Sequence, residues 1–210
     1  MKRLLSVLMV CALVAAAQAK KVKLTIDGTV SPSQTTLYLI INEDTAHAQR
    51  VPINDAQQFS VNIKVDRNAF IRLHDSKRWP ERGTFVLIPD SRHITVNWKA
   101  GTIQGSEQSQ KLKTVLDQIN ESSPEGFHVD VFTDDPEAWR SAQAQGESIR
   151  QSMLEQQKDV FKQQILANKN NPLCAWIAFC YPQLMEGEIE AMLHHMKPKW
   201  LNHPILKNKQ

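Results

Sequence analysis

Cys174 and Cys180 are the side chains of this sequence most readily turned to chemistry. A dithiol does redox work when one thiolate is stabilised, as in C-x-x-C at a helix N-terminus. Here five residues intervene. Both cysteines fall on a helix that Asn171-Pro172 should open, which sets them about 9 Å apart along its axis. The Cα atoms of a disulfide lie only roughly 4.4–6.8 Å apart. The spacing therefore favours buried thiols acting as small apolar residues. A structural bridge, familiar in exported proteins, would need a shorter helix. A thiol-dependent redox accessory using Cys174 and Cys180 is the alternative functional reading.

A second group offers recognition. Arg72, Lys77, Arg78 and Arg82 surround Trp79-Pro80, with Asp75 and Glu81 as the acids. The proline and the lack of periodicity place Trp79 on a loop. An exposed indole beside guanidinium groups suits stacking on a sugar or meeting an anionic or protein surface. Arg78, Trp79 and Arg82 are the candidate ligand-binding residues; the other reading folds Trp79 back onto a sheet. Among seven histidines, Glu190 and His194 stand at i, i+4, but no third ligand is near apart from His203, beyond two turns, and no H-E-x-x-H occurs, so no metal is expected. G-x-S-x-G, G-x-G-x-x-G and P-loop patterns are absent. No catalytic residue and no cofactor is assigned, and a non-enzyme is expected.

The elements that must position these groups change character at Gly105. From Lys20 to Gly105 apolar residues recur with period two, as in Val22, Leu24, Ile26 and again in Phe59, Val61, Ile63, Val65. Leu37–Ile41 is a continuous apolar run. Asp27-Gly28 offers a turn, and turn residues at intervals of about 8–12 predict some seven antiparallel strands. After Gly105 the period becomes 3.6. Ser106 is a helix cap, with Leu112, Val115, Leu116 and Ile119 on one face. Asp135-Pro136-Glu137 opens a helix that runs to about Asn168, whole or broken near Gly146. Pro172 to Pro182 should be the most buried helix, around Trp176. A last helix spans Glu186–Lys197, and the tail from Asn202 should fray. The fold class is α+β: an antiparallel β-sandwich over 20–105, then a helical bundle over 106–210.

The composition, 41% apolar and 22% charged in 210 residues, excludes collagen-like, disulfide-dense and disordered classes. Lys2-Arg3, the apolar stretch Leu4–Ala17 and Ala17-Gln18-Ala19 form a signal-peptide pattern over 1–19, with cleavage before Lys20. Val10 before Cys11 departs from a lipobox, so a lipoprotein is not expected. No later segment is apolar enough for a membrane span. Without the leader the chain carries 23 basic and 22 acidic residues, which leaves no nucleic-acid footprint. Residues 20–105 hold 12 basic and 8 acidic side chains, and 106–210 hold 11 and 14.

A set of short motifs carries a family likeness. They are Leu24-Thr25-Ile26-Asp27-Gly28, Gln58-Phe59-Ser60-Val61, Val86-Leu87-Ile88-Pro89-Asp90, His93-Ile94-Thr95-Val96, Gly101-Thr102-Ile103-Gln104-Gly105-Ser106 and Asn171-Pro172. In this order they resemble the domain of unknown function 4369, which precedes a thioredoxin-like domain in exported thiol–disulfide oxidoreductases of Bacteroidetes. The likeness covers nearly all of residues 22–204. It implies a periplasmic or secreted protein with a β-rich unit leading into helices. The W-C-x-x-C motif of the redox domain has no counterpart in these residues, so its chemistry does not carry over. The reading is an exported, non-catalytic binding module of the cell envelope. Its partner would be an envelope protein or a glycan, and the helix near 136–168 offers a homodimer seam.

Overall fold

A computed structural model describes residues 21–75, 84–124, 127, 132–184, 187, 191 and 193–207. The protein is mixed α+β, with two four-stranded sheets and helices. It divides into two compact units, one ending at Gln110 and one beginning at Lys111. The signal-peptide pattern lies outside the described residues.

In the first unit the strands are β1 (Lys21–Thr29), β2 (Tyr38–Ile41), β3 (Gln49–Arg50), β4 (Gln58–Asp66), β5 (Ile71–His74), β6 (Phe85–Leu87), β7 (His93–Asn97) and β8 (Thr102–Gln104). One sheet has the order β4-β1-β7-β8 and the other β3-β2-β5-β6. The period-two pattern dictates their faces. In β1, Leu24 and Ile26 are buried while Lys21 and Lys23 are exposed; in β4, Phe59, Val61 and Val65 are buried while Ser60, Asn62 and Lys64 are exposed. One hydrophobic cluster draws on both sheets, joining Leu24, Ile26, Phe59 and Ile94 with Leu39, Ile71, Leu73 and Leu87.

Two expectations are corrected here. The strands are not all antiparallel: β1 runs parallel to β7, with Ile26 opposite Ile94. Gly28 does not turn the chain but lies inside β1, opposite Phe59 and Val96. A Cβ there would stand 2.6 Å from the Phe59 ring and collide with the Val96 carbonyl, so the glycine serves close approach within the sheet.

In β5 all four residues are buried, Arg72 among them. Its partner Glu43 is presented by a turn in which Asn42 and Glu43 take φ of 50° and 60°. Asn42 locks that turn: its amide donates to the Phe70 carbonyl at 2.8 Å, and its Oδ1 accepts from the Phe70 amide at 2.9 Å. Arg72 therefore belongs to the interior, not to the basic loop where its sequence neighbours had placed it.

Helix α1 (Glu107–Glu121) is capped by Ser106, whose Oγ accepts from the Ser109 amide at 3.0 Å. Helix α2 (Pro136–Asn168) is one unbroken helix of 33 residues, about 50 Å long. Asp135 caps it through the Glu137 amide. Gly146 does not break it, consistent with a cost of only about 1 kcal/mol against alanine. Helix α3 (Leu173–Cys180) is buried at its first six positions, and Asn171 Oδ1 accepts from the Leu173 amide at 3.0 Å. Within the second unit, Tyr181 donates to Asn120 Oδ1 at 2.7 Å, and Gln157 donates to the Ile119 carbonyl at 3.3 Å.

Of the helix expected over Glu186–Lys197, Ala191 and Leu193 are helical, residues 194–197 turn and bend instead of continuing the helix, and 186, 188–190 and 192 lie outside the described residues. From Pro198 to Lys207, the last described residue, the chain is ordered into two short helices instead of fraying from Asn202. It forms α4 (Pro198–Leu201) and α5 (Pro204–Lys207), with Trp200 and Ile205 buried. Apolar anchoring holds this tail where position in the sequence had suggested fraying.

Candidate functional site

The solvent-facing residues of β4, β1 and β7 form a polar grid, because each of these strands buries only alternate side chains. Strand pairing sets Lys23 opposite Lys64, Thr25 opposite Asn62 and Asp27 opposite Ser60, with Thr25 also opposite His93. Thr25 donates to Asn62 Oδ1 at 2.7 Å. Lys23 and Lys64 are like charges directly across a strand pair, an unfavourable arrangement in isolation.

This end of the sheet borders a groove of ≈ 990 Å³. It is lined by Lys21, Lys23, Thr25, Asn62, Lys64, Arg67, Asp90, Ser91 and Arg92, over the apolar residues Val22, Leu24, Ile63 and Pro89. All five cations are exposed. Among the described residues, none of the five forms a salt bridge, although four lysine or arginine ion pairs occur elsewhere. Asp90 is the one acid in the lining. Its Oδ2 accepts from the Gln108 amide at 2.8 Å, in the first turn of α1, while its buried Oδ1 has no hydrogen-bond partner among the described residues. A concave surface with five cations and one acid focuses positive potential and attracts anions.

Beside the groove, Asp27, Ser60 and His93 meet. Ser60 Oγ donates to Asp27 Oδ1 at 2.5 Å, and His93 Nε2 lies 2.5 Å from Asp27 Oδ2. The Ser60 hydrogen bond, with His93 adding to it, holds the Asp27 carboxyl below its ordinary value near 3.8. The carboxylate stands between hydroxyl and imidazole. A nucleophilic triad needs the opposite order, with an imidazole on the hydroxyl. No sequence clustering announced this trio; strand register alone assembles it.

Arg78, Trp79 and Arg82 lie outside the described residues. Cys174 and Cys180 stand six residues apart on α3, both as thiols. Burial pushes the Cys174 thiol up to about 12, and its Sγ donates to the Asn171 carbonyl at 3.0 Å. A thiol so shifted holds little nucleophilic thiolate near neutral pH. Helix α2 leaves Trp139 44% and Ile149 43% exposed. Among the described residues no group of three or more His, Cys, Asp or Glu is placed to hold a metal, and no helix is long and apolar enough to cross a membrane.

Compared with protein-family models, with curated proteins and with solved structures, the chain matches none.

Proposed function

We propose that this chain is an exported, non-catalytic binding module of the cell envelope, and that it holds an anionic ligand in the groove bordered by β1 and β4. The observation that carries the reading is the gathering of Lys21, Lys23, Lys64, Arg67 and Arg92 around one groove, with no ion-pair partner for any of them among the described residues. Asp66 stands opposite Lys21 across the strand pair, and binding of an anion among the other cations would relieve the Lys23–Lys64 repulsion. In this reading the two sheets, which share one hydrophobic cluster, form a β-sandwich that presents the groove on its outer face. The second unit is a helical bundle. The leader pattern and the likeness to domain 4369 support an exported place of action.

The test is cosedimentation with envelopes of the producing cell. The wild-type chain is expected to sediment at low salt and to be released at high salt, as screening of exposed charges requires. Lys23→Glu combined with Lys64→Glu should abolish sedimentation while leaving the melting temperature within a few degrees. Sedimentation unaffected by salt and by the double variant would contradict the reading.

A further inference from the structure

We propose that the ligand of this groove is an acidic polysaccharide, a sugar chain bearing carboxylate or sulfate groups at intervals. The inference rests on the anion-binding reading and adds the class of ligand.

The first argument is the spread of charge. Lys21 and Lys23 lie on β1, Lys64 on β4, Arg67 just beyond β4, and Arg92 just before β7. From Lys21 to Thr25 the strand covers about 14 Å, and the three strands together span about 10 Å. A compact anion is held by donors converging on one point, such as an arginine fork or a nest of backbone amides. Cations distributed over a surface of this size instead match charges repeated along a polymer.

The second argument is what lies between the cations. Thr25, Asn62 and Ser91 line the same groove. Asn62 spends its carbonyl oxygen on the Thr25 hydroxyl, which directs its two amide donors elsewhere. Hydroxyl and amide groups that both donate and accept are suited to sugar hydroxyls.

The third argument separates other polyanions. Single-stranded nucleic acid is gripped through aromatic platforms on which bases stack; the groove lining contains no aromatic residue, so a sugar chain here is held through its charges and hydroxyls and not by ring stacking. A flat anionic membrane surface is met by basic residues that project outward or by an amphipathic helix that buries an apolar face. Here the charges ring a concave site on a sheet.

The experiment measures binding of the purified chain to polygalacturonate and to dextran sulfate. Neutral dextran, inorganic phosphate, single-stranded DNA and phosphatidylglycerol vesicles are run alongside. The expected result is saturable binding of both acidic polymers, tightening with polymer length and weakening with salt, and none of neutral dextran. Lys23→Gln with Lys64→Gln should weaken it about tenfold, two surface ion pairs being lost, at unchanged melting temperature. If inorganic phosphate binds as tightly as the polymers, the site is one for a compact anion; the polysaccharide falls while the anion reading stands. If DNA or vesicles bind equally well, with the same dependence on Lys23 and Lys64, the polysaccharide again falls alone. If no anion binds, both readings fall.

Discussion

Trp176→Ala is expected to destabilise the second unit by about 3–5 kcal/mol. Trp176 is 1% exposed and sits in the middle of α3, where the six residues from Leu173 to Ala178 are all buried. Its ring packs against Phe179 with centroids 5.5 Å apart. Alanine removes the largest fully buried side chain among the described residues. The surroundings can close only part of the space, so the lost transfer energy and the residual cavity add. Urea unfolding followed by far-ultraviolet circular dichroism reads the effect. A change below about 0.5 kcal/mol would show that α3 is not the core element of this unit.

Arg72→Met should cost a similar amount, about 3–5 kcal/mol, for a different reason. The Arg72 side chain is fully buried and that of Glu43 is 9% exposed. Arg72 Nε donates to both Glu43 oxygens, at 2.8 and 2.9 Å, and one terminal guanidinium nitrogen lies 2.7 Å from Oε2. Burial already pushes the Glu43 carboxyl above its ordinary value, with Arg72 opposing that rise. Methionine fills much of the arginine volume but strands the carboxyl without its countercharge. Adding Glu43→Leu should restore most of the loss, because a buried ion pair replaced by apolar groups is often near neutral. A double variant less stable than Arg72→Met alone would refute this account of the pair.

The same two sites show what the sequence makes legible. Trp176 is readable because its neighbours Leu173, Ile177 and Ala178 make the helix apolar almost all round. Arg72 is not. Its charge grouped it with Lys77, Arg78 and Arg82, while its burial depends on Glu43, 29 residues earlier. The caps at Ser106 and Asp135 follow from local rules, and so do the alternating strands β1, β4 and β7. The parallel pairing of β1 with β7 has no local signature, and Gly28 reads as a turn until Phe59 and Val96 are laid beside it.

The groove falls between these cases. The outward positions of Lys21, Lys23 and Lys64 are visible in the alternation, and the positive excess of residues 20–105 is a simple count. That Lys23 and Lys64 stand opposite one another, with Arg92 brought alongside, is a property of register between strands far apart in sequence. The Asp27–Ser60–His93 trio is hidden for the same reason.

The central claim, that this groove is the binding surface, is tested most directly by mapping backbone amide chemical shifts of the chain during titration with polygalacturonate. The account predicts saturable shifts confined to residues 21–25, 62–67 and 90–92. Saturable shifts confined to the second unit, with these three segments unmoved, would contradict it.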